Sequence, residues 1–110
     1  MQRAEILDAA MVAVTRDRAA THGKPEDTFG MIAAVWSIKV GVTITPAQVC
    51  LMLADLKICR AWGNPSHDDN FVDIAGYAAC GGELAADARR RNLVPSRKSW
   101  WRRLIKRGEA

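Results

Sequence analysis

Residues 57–77 read KICRAWGNPSHDDNFVDIAGY and place two cations, a turn, a histidine and two spaced aspartates on one short piece of chain. The turn centre, Gly63-Asn64-Pro65, separates two stretches of helix-forming composition, the pattern of two antiparallel helices joined by a short loop. Residues equidistant from such a turn lie at the same height. Arg60 is therefore expected level with Asp69, and Lys57 with Asp73. A stack of this kind is either a structural ion-pair ladder or the charged floor of a site for an anion or a metal-bound anion.

Outward from the hairpin, helical signals dominate. Residues 2 to 18 put Ile6, Ala10, Ala13 and Val14 on one face of a first helix, and Thr21-His22-Gly23 breaks it. Pro25 opens a second helix in the favoured first-turn position, with Glu26 and Asp27 at its positive end. Phe29, Ile32, Val35 and Trp36 follow at helical spacing until Gly41. Val42-Thr43-Ile44 is too short to found a sheet. Thr45-Pro46-Ala47-Gln48 then combines an N-cap, a first-turn proline and a capping-box glutamine, starting a third helix that runs to about Trp62. The fourth is expected from His67 or Asp68 to about Arg89, capped by Ser66 or Asp68, with Phe71, Ile74, Ala75, Ala78 and Leu84 facing inward. Gly76, Gly81 and Gly82 weaken it by about 1 kcal/mol each unless close helix approach or a kink requires them. The fold expected is all-α, a four-helix bundle-like domain over residues 1–88 with a central hairpin. Residues 89–110 are expected to form a short basic helix or tail.

Charge divides at the same boundary. Residues 1–88 carry seven Lys/Arg against eleven Asp/Glu, a net −4, while residues 89–110 carry nine against one, a net +8. Basic residues interleaved with tryptophans, here Arg97, Lys98, Trp100, Trp101, Arg102 and Arg103, suit nucleic-acid backbones or an anionic membrane surface. The alternative is that the tryptophans fold back onto the body. No apolar run approaches the roughly 20 residues that span a bilayer, and acidic residues interrupt the N-terminal segment, so a cytoplasmic protein of the host cell is expected. Cys50, Cys59 and Cys80 form no CxxC pair and read as buried reduced thiols.

Several side chains in the hairpin have chemical reach. Asp69 and Asp73, four apart, project from one helix face and suit Mg²⁺ when phosphates supply its other ligands; they equally suit ion pairs with Arg60 and Lys57. Lys57 interrupts the apolar run LMLADLKIC, so it must be paired or reach solvent, or else hold a phosphate as a point charge. Arg60 offers the planar fork that matches phosphate oxygens. His67 stands at the start of the fourth helix, where it caps the helix, lines a ligand site or is a plain loop residue. Trp36 and Trp62 read as core or rim aromatics. There is no P-loop, GxGxxG or HExxH, and no nucleophile motif surrounds either histidine.

Arg18-x-x-Thr21-His22-Gly23-x-Pro25-Glu26-x-x-Phe29-x-x-Ile32-Ala33-x-x-Trp36, Ile44-Thr45-Pro46, Lys57-x-x-Arg60, Asn64-Pro65-x-His67-x-Asp69 and Asp73-Ile74-Ala75-Gly76-Tyr77 resemble a family of small phage and prophage proteins known as a domain of unknown function. The resemblance covers residues 15 to about 84 and stops before the basic tail. His22 stands where many relatives have tyrosine. The pattern is more loosely similar to a nucleotide-modification-associated domain of phages and to the all-α nucleotide pyrophosphohydrolases of the MazG type. In those enzymes ExxE on one helix and ExxD on the next gather Mg²⁺ around a nucleoside triphosphate. This chain has no ExxE, and carries DxxxD on its fourth helix. The resemblance implies an α-helical fold and a connection to nucleotides.

Two functions follow as expectations. In the first, Lys57, Arg60 and His67 bind a nucleotide or other phosphate-containing ligand and Asp69 and Asp73 hold Mg²⁺, as in a degenerate MazG-like pyrophosphohydrolase. In the second, a non-enzymatic accessory protein binds nucleic acid or a host protein through its tail. The sequence does not decide between enzyme and binding protein. A homodimer is expected on the ground that a small polar hairpin completes its core by pairing with a second copy.

Overall fold

The computed structural model describes residues 1–17 and 24–91. Expectations for Thr21-His22-Gly23, and for Arg97, Lys98, Trp100, Trp101, Arg102 and Arg103, lie outside those residues. Helix α1 spans Arg3–Val12 and continues into a π-helical turn, Ala13–Asp17; α2 spans Pro25–Val40, α3 Pro46–Gly63 and α4 Asp68–Arg90. Among the described residues there is no strand, and the fold is all-α.

Local chemistry sets most of the boundaries. Gly41 ends α2 at φ 70°, left-handed backbone that suits glycine, and its N–H reaches the Ser37 carbonyl at 2.9 Å. Thr45 and Gln48 form the expected capping box: the Thr45 hydroxyl accepts from the Gln48 N–H at 3.2 Å, and Gln48 Oε1 accepts from the Thr45 N–H at 2.8 Å. Between the helices, Ser37 Oγ donates to the Ala33 carbonyl at 2.6 Å and accepts from the Ile44 N–H at 2.8 Å, tying the connection to α2. The first helix stays α-helical only to Val12, not to residue 18; in the π-turn the Thr15 hydroxyl bonds back to the Met11 carbonyl at 2.6 Å. His67, rather than Ser66 or Asp68, is the N-cap of α4 and makes no side-chain capping bond, while Ser66 Oγ donates to Asn64 Oδ1.

The hairpin of α3 and α4 is the centre of the domain, with α1 packed on α4 and α2 on α3. Phe29, Ala33, Val49, Cys50 and Cys80 form the core, flanked by Trp36, Leu53, Tyr77 and Leu84. Phe29 meets Tyr77 edge-to-face with ring centroids 6.3 Å apart. Phe29, Val49 and Cys50 are fully enclosed, and burial of the Phe29 and Val49 side chains contributes about 1.5–3 kcal/mol each.

The inward face of α4 differs from the expected one. Asn70, Val72, Gly76, Cys80 and Gly81 are buried, Phe71 and Ala78 are exposed, and Ile74, Ala75 and Leu84 are half-buried. Backbone approach selects that face. A Cβ on Gly81 would lie 3.0 Å from the Cys50 Cβ, and one on Gly76 would lie 3.3 Å from Val14 Cγ1. The helix runs on through Gly82, which faces open space. Two further expectations are corrected on α3. Cys50 and Cys80 are buried but Cys59 is exposed, and Trp62 is 88% exposed rather than a core or rim aromatic. Because α3 is apolar nearly all round, its composition does not reveal which side α4 and α2 cover. Among the described residues no helix is long and apolar enough to cross a membrane.

Candidate functional site

The last turns of α3 and the first turns of α4 enclose an open cleft of about 450 Å³, lined by Lys57, Arg60, Asn64, His67, Asp69, Asn70 and Asp73. Lys57 and Arg60 share one face of α3 by helical spacing, Asn64 caps its C-terminal end, and 69, 70 and 73 turn toward them from α4. The five hairpin residues singled out from the sequence, Lys57, Arg60, His67, Asp69 and Asp73, thus meet in one place.

Their pairing is half of what equal height suggested. Lys57 Nζ lies 2.9 Å from Asp73 Oδ2, so the lysine that interrupts the apolar run is neutralised across the hairpin. Arg60 is exposed and makes no ion pair among the described residues, and the expected Arg60–Asp69 bridge is not formed. Three residues on from Lys57, Arg60 is turned about 60° around α3. That rotation carries it away from Ala54 and Ala61, which are buried against α4. Asp69 instead stands 4.0 Å from His67 Nε2.

Asn70 was missed in the sequence. It is 6% exposed and lines the cleft. Its side chain has no hydrogen bond among the described residues, yet no fully enclosed polar side-chain atom lacks a partner. The Asn70 amide must therefore open onto the cleft, where a ligand or water satisfies it. The signal available was its register: 70, 73 and 77 follow i, i+3, i+7 with Asp73 and Tyr77, the face that turns inward.

The lining carries two cations and two carboxylates, a formal balance of zero with histidine neutral. Asp68 and Asp69 also occupy the first turn of α4, where they complement its positive end, and Asp68 lies 3.3 Å from the Met1 ammonium. A bare phosphate would find Arg60 free but Asp69 close by. A phosphate bearing a divalent cation matches both signs at once. Among the described residues no three or more His, Cys, Asp or Glu side chains gather as a metal centre, so a cation held by protein alone does not fit. Two carboxylates on one cleft are nevertheless what Mg²⁺ takes from protein when phosphate oxygens complete its shell.

Comparison with known proteins agrees with the phage-protein reading. Residues 5–85 match the family described as Domain of unknown function (DUF6378). The Gene 55 protein of Mycobacterium phage L5 is 40% identical over 74 residues, covering 66% of this chain and 47% of that protein. The Gene 55 protein of Mycobacterium phage D29 is 33% identical over 75 residues, covering 68% of this chain and 50% of that protein. The aligned part spans about half the length of each relative. No solved structure matches the chain. The chain belongs to the DUF6378 family.

Proposed function

We propose that this member of the family binds a nucleotide or a related phosphate-containing small molecule in the cleft between α3 and α4. The observation that carries the reading is Asn70, a nearly buried amide that has no side-chain partner among the described residues and opens onto the same cleft as the Arg60 guanidinium, which is likewise unpaired among them. Arg60 offers a fork for phosphate oxygens. Lys57 can exchange the Asp73 carboxylate for a phosphate, His67 stands at the exposed rim, and Asn70 offers both a donor and an acceptor to a polar ligand group. Asp69 and Asp73 would supply oxygen ligands to a Mg²⁺ that arrives on the phosphates. The MazG-like similarity would extend binding to pyrophosphate hydrolysis. With DxxxD on α4 and no ExxE on a partner helix, the reading is restricted to binding, as in a degenerate relative of those enzymes.

The test is a thermal-shift panel of nucleoside mono-, di- and triphosphates and inorganic phosphate, with and without Mg²⁺. A ligand at 100 times its Kd adds about 2.7 kcal/mol of stability. Arg60→Ala and Asn70→Ala should each reduce the shift while leaving the unliganded melting temperature near that of the native chain. A panel in which nothing shifts the native protein removes this reading.

A second reading is supported by the charge division of the sequence. The +8 segment over residues 89–110 would contact nucleic acid or a host protein, with the helical body as a non-enzymatic platform.

A further inference from the structure

Among the described residues, the side of the hairpin facing away from the cleft is uncovered and carries large apolar side chains. On α3, Leu51, Ile58 and Trp62 recur at i, i+7, i+11 and are 59%, 46% and 88% exposed. At 100° per residue they stand about 100° to 180° around the helix from Lys57 and Arg60. Met52 flanks them at 44% exposed, and on α4 Phe71, 39% exposed, continues the surface with Ala78 one heptad on. Single exposed apolar residues are ordinary; a stripe at helical spacing along two packed helices is not. Helices α4 and α2 cover the other sides of α3, and among the described residues this stripe is left open.

We infer that this back face of the α3–α4 hairpin is an isologous interface with a second copy of the chain, in which two hairpins form a four-helix bundle and the two clefts face outward. Two features commit the face to that occupant. Heptad spacing on two adjacent helices is the pattern a second helix pair interleaves with, and a two-fold axis presents each hairpin with the same pattern. The area also suffices. From their fractional exposures the five large side chains leave about 600 Å² per copy, or about 1,200 Å² in all, the lower limit of a stable specific interface. Asp55 is the one charged residue on that side of α3, and the absence of lysine or arginine from that side of α3 disfavours an anionic membrane as the occupant.

Sedimentation equilibrium of the full chain tests the inference, with Cys59 as an internal reporter. Cys50 and Cys80 are buried, so among the described residues Cys59 is the exposed thiol, and it stands beside Met52 on the back face. The expected result is a dimer at high micromolar concentration that dissociates on dilution, with Cys59 alkylated more slowly as the dimer forms. Trp62→Glu and Ile58→Glu should each weaken the dimer at least tenfold with helicity unchanged, whereas Arg60→Ala, in the cleft, should leave it intact. A monomer at every concentration overturns the inference, as does a dimer indifferent to both charged variants. Cys59 protection independent of concentration overturns it too, because the cover would then belong to the same chain. None of these outcomes depends on whether the cleft binds phosphate.

Discussion

Two adjacent glycines in α4 should respond to alanine with opposite signs. Gly82 lies inside the helix with nothing within 4 Å of an added Cβ, so Gly82→Ala removes only the conformational cost of glycine and should stabilise the fold by about 1 kcal/mol. Gly81→Ala gains the same helix propensity, but its Cβ would stand 3.0 Å from the Cys50 Cβ and 3.5 Å from the Ala47 carbonyl oxygen. Both are fixed to the α3 backbone and cannot swing aside. Overpacking of that kind costs about 1–3 kcal/mol, leaving a net loss of about 1 after the propensity gain is counted. The two variants should therefore differ by about 2 kcal/mol. At about 4–8 °C per kcal/mol for a domain of this size, that separates their melting temperatures by about 8–16 °C. Far-UV circular dichroism during thermal and urea unfolding reads both. If Gly81→Ala stabilises as much as Gly82→Ala, α3 and α4 do not approach at that level and the reason given for the buried face of α4 is wrong.

The two charge pairs of the hairpin should behave differently in double-mutant cycles. Lys57→Met with Asp73→Asn should show coupling of about 1–2 kcal/mol, between the surface and buried limits for an ion pair, since Lys57 is 18% and Asp73 40% exposed. Arg60→Ala with Asp69→Asn should be additive within about 0.5 kcal/mol; strong coupling in urea unfolding would show that the two do meet in solution. Thr45→Ala should cost about 1 kcal/mol by removing the capping box of α3, and an unchanged urea midpoint would count against the cap. If five tail cations meet duplex DNA, the binding constant should fall with salt at a log–log slope of about −4.5, and ending the chain at Pro95 should remove both affinity and slope. The absence of any DNA, RNA or anionic-lipid binding at low salt would set the tail aside as a polyanion contact.

What the sequence disclosed was local. Thr45-Pro46-x-Gln48 and Gly41 determine helix ends through bonds made within four residues, Pro25 does so through its fixed φ at the first helical position, and the structure places the ends there. Lys57 against Asp73 was legible because equal distance from a turn is a property of the hairpin alone. The inward face of α4 was not legible from hydrophobicity, because Gly76 and Gly81 turn inward to let Val14 and Cys50 approach while Phe71 is left outside. Arg60 failed to meet Asp69 because height in a hairpin says nothing of rotation about the helix axis. Asn70 carried a sequence signal in its register with Asp73 and Tyr77, but its lack of a side-chain partner among the described residues shows only in three-dimensional packing.

Every residue lining the cleft lies between Lys57 and Asp73, within one hairpin whose helices are joined by residues 64–67. Contacts between near neighbours in sequence close small loops and form on the fastest folding timescales, so this part of the molecule should assemble early, before α1 and α2 dock. Substitutions at Ala54, Ala61 and the Cys50–Gly81 contact should then slow refolding nearly in proportion to the stability they remove. Substitutions at Phe29 and Val14 should instead appear chiefly as faster unfolding. A stopped-flow chevron for one variant of each kind measures the difference. The cleft would then be among the first features the nascent domain acquires, and a ligand present during folding could bind before the core beneath α2 has closed.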